Sequence, residues 1–306
     1  MTNNLVVILG PTASGKTSFA VKLANQVKGE IISADSRQIY KGMDIGTGKD
    51  LEEYIINNKT IPYHLIDILS PNEDYSVYQF RNDFFECYNR LKDKNRNIIL
   101  CGGTGLYIES VLLDYKIPNI KPNQKLRKFY ANMSTEDLVK ELKKLNSKMY
   151  DPKFHTTNRR IIRSIEIVKN PIENKRDFDK KFISDYIVFG IKQDREDLLK
   201  SIEHRLDDRF NNGMIEEVES LINNGLGFDR LKYFGLEYKI IGEYLFNVID
   251  IDEMKLKLKF AINKFSKRQM TFFRRMEKRG IKINWFNKDE IKKIELLLAT
   301  FLDWSD

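Results

Sequence analysis

The segment LVVILGPTASGKTSFAVKLANQV, Leu5 to Val27, sets the reading of the whole chain. Leu5 to Leu9 is a continuous apolar run, the pattern of a strand buried on both faces of a parallel sheet. Phe19, Ala20, Leu23 and Ala24 then recur at helical spacing. Between strand and helix lies Gly10-Pro11-Thr12-Ala13-Ser14-Gly15-Lys16-Thr17, which fits G-x-x-x-x-G-K-[ST] in the context that motif requires. Glycines let the backbone curl so that its N–H groups, with the helix N-terminus, converge on phosphate oxygens. Gly10, Thr12, Ala13, Ser14, Gly15, Lys16 and Thr17 are therefore expected to bind the phosphate groups of a ligand. Lys16 supplies a point charge, and the Thr17 hydroxyl is the expected ligand of Mg²⁺.

Working outward, strands are expected at Glu30 to Ser33, Tyr63 to Ile68, Asn97 to Cys101 and Asp185 to Ile191. Helices are expected at Tyr75 to Lys92 and Thr104 to Leu112. Strand and helix alternate, which predicts an α/β fold: a P-loop NTPase-like doubly wound parallel sheet. Past Tyr115 the composition changes to two prolines and then Lys/Arg-rich helical patterns, Thr135 to Leu145 and Arg159 to Val168. Residues 118–183 are expected to form an inserted helical domain, with 1–117 and 184–306 as the catalytic core and its C-terminal helices. From Arg195 to about Arg279 the pattern is mostly helical, with a turn at Asn223-Asn224-Gly225.

The P-loop specifies a phosphorylated ligand and leaves the reaction open. Phosphoryl transfer ordinarily wants a carboxylate at the end of a neighbouring strand to hold Mg²⁺. The candidate strand ends instead in Cys101-Gly102-Gly103-Thr104-Gly105, which argues against an ATPase or GTPase. Asp35 follows the second strand in Ser33-Ala34-Asp35-Ser36-Arg37-Gln38, on the sheet edge where ligands gather. It reads equally as a proton acceptor beside the P-loop or as a helix N-cap. Gln38 is suited to reading a base edge. The 306 residues carry 52 Lys+Arg against 44 Asp+Glu, a net charge of +8, and a basic balance points toward a polyanion. Cys87 and Cys101 make no disulfide framework, and His64, His155 and His204 are scattered, so no zinc site is expected. With no leader and no membrane-length apolar run, the expectation is a cytoplasmic protein with no membrane association.

Together these motifs resemble one family, the bacterial tRNA dimethylallyltransferases or tRNA isopentenyltransferases. The resemblance runs through GPTASGKT (Gly10 to Thr17), ISADSRQIYKGMDIGTGK (Ile32 to Lys49), IPYHLIDI (Ile61 to Ile68), YSVYQFRND (Tyr75 to Asp83) and GGTGLYIES (Gly102 to Ser110). It ends in Lys267-Arg268-Gln269-Met270-Thr271, with Arg274 following. The family transfers a dimethylallyl group from dimethylallyl diphosphate to the exocyclic N6 amine of the adenosine 3′ to the anticodon. By this resemblance Asp35 is the general base, Thr104 holds the reacting region, and Arg205 joins the P-loop on the diphosphate. Mg²⁺ is the implied cofactor, and a monomer the expected state. The helical insertion would close on the anticodon stem-loop. The implied tRNA contacts are Ser36, Gln38, Lys41, Arg159, Arg160, Arg163, Lys267, Arg268, Gln269 and Arg274. Departures from the family's pattern are Phe272 where tryptophan is common, Leu236 in a Gly-Tyr region, and the shortened segment at His155. They are expected to bear on RNA contacts more than on the chemistry.

Basic clusters with interleaved Phe265, Phe272 and Phe273 make the Lys264 to Arg279 helix the expected RNA-facing element, whereas Lys140 to Lys148 reads as a solvated face. Three competing readings are a small-molecule kinase, a prenyltransferase acting on a free adenine nucleotide, and an RNA-binding protein with a degenerate P-loop. The first leaves the Asp35 to Thr47 stretch unexplained. The basic C-terminal half argues against the second, and the intact Gly15, Lys16, Thr17, Asp35 and Thr104 against the third.

Overall fold

The computed structural model describes residues 5–113, 115, 117–170, 182–287, 290, 294 and 297. Its strands are β1 (Leu5–Leu9), β2 (Glu30–Ser33), β3 (Ile55–Ile56), β4 (Lys59–Thr60), β5 (Tyr63–His64), β6 (Ile98–Gly102), β7 (Tyr186–Ile191) and β8 (Ile283–Phe286). A six-stranded sheet runs in the order β5-β2-β6-β1-β7-β8, parallel throughout. The continuous apolar run of β1 is explained by its place in that sheet. Leu5, Val7 and Leu9 enter the core on one face, and Val6 and Ile8 enter the core on the other. Strand pleating sends alternate side chains to opposite faces, so a strand covered on both sides has no polar face to show.

The helices are α1 (Lys16–Gln26), α2 (Val77–Asp93), α3 (Gly105–Leu112), α4 (Gln124–Tyr130), α5 (Thr135–Asn146), α6 (Asn158–Val168), α7 (Arg195–Asn211), α8 (Met214–Asn223), α9 (Phe228–Tyr233), α10 (Leu236–Leu245) and α11 (Ile251–Lys278). α2 opens with a capping box in which Ser76 and Gln79 satisfy each other's backbone N–H groups. It buries Phe80, Phe84, Phe85, Tyr88 and Leu91 on one face. The turn expected at residues 223–225 follows α8, with Gly225 at φ 91°.

The chain divides into two compact units: Met1–Asp114 with Phe182–Asp306, and Tyr115–Lys181. The second unit has its own core of Tyr130, Leu138, Leu142, Ile161, Ile162 and Ile165. Glu166 is buried there and takes Arg127 at 2.8 Å and Arg163 at 3.0 Å, with the Asn123 N–H at 2.9 Å. Burial alone would raise its pKa, but these donors hold the carboxyl below its ordinary value. Residues 171–181 of the expected insertion, and most of the chain beyond residue 287, lie outside the described residues.

Three elements differ from expectation. The strand expected over Tyr63 to Ile68 ends at His64, because Leu65 and Asp67 take positive φ values of 60° and 56° that no strand accommodates. A small antiparallel hairpin, β3–β4, turns through Asn57 and Asn58, both at positive φ, as such tight turns demand. β8 extends the sheet beyond β7 and was not anticipated.

Candidate active site

The C-terminal ends of β1, β2 and β6 open into a cleft of about 410 Å³ in the first unit. Its wall brings together Thr12, Lys16, Thr17, Asp35, Ser36, Gln38, Thr104 and Arg205, residues spread over some 190 positions of sequence. Gly15 sits at φ 81° as the residue before α1, and its lack of a Cβ is what permits that turn. Ala13 shares the left-handed region at φ 62°. The two bends turn the loop around the start of α1, where unsatisfied N–H groups and the helix dipole favour an anion. Burial of Lys16 lowers its pKa below the ordinary lysine value, against the opposing pull of Asp35. A half-buried cation at a helix start, on the wall of the cleft, is poised to gain from a diphosphate partner.

Gly102, at the end of β6, lies so close to Ala34 at the end of β2 that a Cβ there would overlap the Ala34 backbone. This contact draws the two strand ends together and joins Asp35 to Thr104. The Thr104 hydroxyl accepts from the Ser36 N–H at 3.0 Å, while an Asp35 carboxylate oxygen accepts from the Arg37 N–H at 3.0 Å. Asp35 therefore lies on the cleft wall with its second carboxylate oxygen not engaged in that bond. Beneath them Cys101 is buried, donates to the Lys16 carbonyl at 3.7 Å, and has its pKa pushed up to about 12 by burial, so it is an inert thiol.

Two arginines one helical turn apart on α7 face the cleft. Arg205 pairs with Asp50 and reaches the Gly48 carbonyl at 3.4 Å. Arg209 was not anticipated. It is buried, its Nε has no hydrogen-bond partner among the described residues, and its Nη1 pairs with Glu237 at 3.9 Å. Burial, and then the neighbouring Arg205, push the Arg209 pKa down, while burial pushes that of Glu237 up. Arg205 and Arg209 thus line the same cleft as Lys16.

Of the expected tRNA contacts, Ser36 and Arg268 line the cleft, and Lys41, Lys267 and Arg274 are exposed. Gln38 is buried, its amide accepting from the Ser33 hydroxyl at 2.9 Å and donating to the Gly48 carbonyl at 3.0 Å. Gln269 lines the cleft as well, and its amide is engaged by the protein. Its Oε1 accepts from the Thr12 N–H at 2.8 Å and its Nε2 donates to the Gly103 carbonyl at 3.0 Å, so the buried amide props the phosphate loop from below. Arg275 and Arg279 are held by the buried Glu109 at 2.5 and 3.1 Å. In the second unit Arg159 is exposed. Arg160 bonds the Phe154 carbonyl and Thr156, and Arg163 bonds Glu166 and the Ile120 carbonyl. Phe272 and Leu236 line the cleft itself, so these two departures touch the reaction space as well as any RNA surface. His155 is buried and shares a hydrogen bond with Ser164 at 2.8 Å.

The loop from Gly42 to Lys49 is fixed by contacts that no local motif revealed. Lys49 is wholly buried between Asp44, Asp67 and the Tyr40 carbonyl. Glu217 of α8 accepts from the N–H groups of Asp44, Ile45 and Gly46. An acidic residue on an amphipathic helix reads as solvated until the loop it meets is known.

Comparison with known proteins agrees with this architecture. A family model described as IPP transferase matches residues 38–276. The chain is 46% identical over 291 residues to tRNA dimethylallyltransferase 1 of Azobacteroides pseudotrichonymphae, covering 95% of each chain. It is 47% identical over 286 residues to tRNA dimethylallyltransferase 2 of Bacteroides fragilis, covering 92% of each. Among solved structures, the full-length tRNA isopentenylpyrophosphate transferase of Bacillus halodurans superposes with a TM-score of 0.70 at 30% identity, over 99% of this chain and 97% of that one. A eukaryotic dimethylallyltransferase acting on tRNA shares the fold, with a TM-score of 0.74 at 22% identity over 92% of this chain and 73% of its own.

Proposed function

The chain belongs to the IPP transferase family, and from that premise we propose how its cleft transfers a dimethylallyl group to tRNA. The donor is dimethylallyl diphosphate and the acceptor is the N6 amine of the adenosine 3′ to the anticodon. The observation that carries this reading is one cleft in which a P-loop lysine faces an aspartate and a threonine from two other strand ends.

An aromatic amine is a weak nucleophile, so the allylic C–O bond must lengthen well before the new N–C bond is complete. Diphosphate departs with growing negative charge, and groups fixed in advance where that charge develops lower the barrier. Lys16, the N–H groups at the start of α1, Arg205 and Arg209 surround that position. Asp35 accepts the proton that the amine loses as the N–C bond forms, which leaves prenylated adenosine and free diphosphate. Thr104, oriented by the Ser36 N–H, holds the reacting region between them. The adenine must leave its stack to reach Asp35.

Thr17 borders the cleft next to Lys16, so a hard hydroxyl oxygen stands beside the expected diphosphate oxygens. That donor set suits Mg²⁺, which keeps water and substrate oxygens in its shell. When bound, the ion would neutralise the diphosphate, with Thr17 as its protein ligand. We further infer that the helical unit, residues 118–183, contacts the anticodon stem-loop. The enzyme is taken to act as a monomer in the cytoplasm; no described helix is long and apolar enough to cross a membrane.

The test is diphosphate release from dimethylallyl diphosphate, followed with and without tRNA. Release that requires both substrates is expected. Phosphate transfer from ATP in the absence of RNA would instead make the protein a kinase.

A further inference from the structure

Glu217 lies outside the cleft, on the first turn of α8, yet it grips the loop that holds the cleft's arginine. Its carboxylate accepts from the N–H groups of Asp44 at 2.6 Å, Ile45 at 2.7 Å and Gly46 at 2.9 Å, and from the Tyr238 hydroxyl at 2.7 Å. Three successive amides converging on one anion form a nest, and here the protein fills it with its own side chain. At Gly46 there is no room to retreat, since a Cβ would come within 2.7 Å of the Tyr238 ring. The same loop then supplies the Gly48 carbonyl to Arg205 and Gln38, and the Asp50 carboxylate to Arg205.

We propose that Glu217 is a positioning residue for prenyl transfer: by fixing residues 44–46 it sets where Gly48 and Asp50 hold Arg205, and thereby how the diphosphate is gripped. The proposal rests on the cleft being the diphosphate site. Glu217 acts at a distance, because the loop it anchors is short and pinned at its far end by the buried Lys49. With that second anchor in place, loss of the nest shifts the loop without releasing it.

Glu217→Gln is the informative substitution. A carboxamide is nearly the same shape, but one of its two ends carries N–H donors, which face the backbone donors that the carboxylate accepted. Binding of inorganic diphosphate is measured by calorimetry in four proteins: wild type, Glu217→Gln, Arg205→Ala and the double variant. Wild-type transfer to tRNA is assayed alongside. The expected result is about tenfold weaker diphosphate binding on Glu217→Gln alone, and less than about a twofold further loss when Arg205 is already absent. Equal losses in both backgrounds, or no loss in either, would overturn the positioning role, because a general stabiliser is indifferent to Arg205. If Glu217→Gln does not yield folded protein, Gly46→Ala goes through the same cycle under the same criteria; its Cβ displaces the loop from Tyr238 with the carboxylate intact. Wild-type protein that binds diphosphate and transfers the prenyl group leaves the cleft reading standing whatever the cycle gives. Wild-type protein that binds no diphosphate removes both.

Discussion

Replacing Gln269 with leucine separates the two tasks that a glutamine beside the phosphate loop can have. Leucine fills nearly the same volume, so the packing of α11 is largely kept. What disappears is the acceptor for the Thr12 N–H and the donor for the Gly103 carbonyl, bonds of 2.8 and 3.0 Å. A buried polar group stripped of its partner costs about 1–3 kcal/mol, so the pair costs about 2–6 kcal/mol. The loss falls on the unit formed by Met1–Asp114 and Phe182–Asp306, which contains both tryptophans, Trp285 and Trp304. Urea unfolding followed by tryptophan fluorescence therefore reports this unit alone. The midpoint should fall, diphosphate affinity should fall with it, and tRNA affinity should stay near that of the wild type. An unchanged midpoint together with weakened tRNA binding would refute the reasoning and make Gln269 an RNA contact.

Asp35→Ala should bind tRNA as the wild type does while losing about 10²–10⁴-fold in turnover, the usual worth of a positioned general base; full turnover in that variant would remove Asp35 from the role. Lys16 grips the diphosphate only when protonated, and burial sets its pKa below the ordinary lysine value of 10.5. Donor affinity measured against pH should accordingly decline as pH rises, beginning below 10.5; a flat profile up to that pH would mean that Lys16 does not carry the interaction. Binding of tRNA should weaken as salt rises. Replacing the exposed Lys267 and Arg274 of α11 together with alanine should lower the slope of log affinity against log salt by about 1–2, as counterion release requires. A slope equal to that of the wild type would place the RNA elsewhere.

How far the site was legible follows from where its information lies. The P-loop could be read because its chemistry needs fixed residue types at fixed local spacing, and β1 because burial on both faces leaves an unmistakable apolar run. Asp35 could be placed near the P-loop because parallel strands deliver their C-terminal ends to one edge, whereas Thr104 entered through the family resemblance. β8 was not legible: Ile283 to Phe286 is four residues long, and its pairing with β7 joins segments almost a hundred positions apart. The early end of β5 depends on positive φ at Leu65 and Asp67, residue types that give no warning of it. Gln269 and Arg275 sit in a basic, aromatic helix that reads as an RNA surface, and only the fold shows one beneath the phosphate loop and the other on Glu109. Arg209 and Glu217 are ordinary helical residues by sequence; Glu217 bonds a loop more than 170 positions earlier, and Arg209 packs against Gly48 of that same loop.

The most direct measurement offers labelled dimethylallyl diphosphate and Mg²⁺ to the purified protein with three acceptors in parallel: unmodified tRNA carrying adenosine 3′ to the anticodon, AMP, and ATP. Label on that single tRNA adenosine and on neither nucleotide is the expected result. Label on AMP or ATP, or no transfer to any acceptor, would contradict prenyl transfer to tRNA as the function of this cleft.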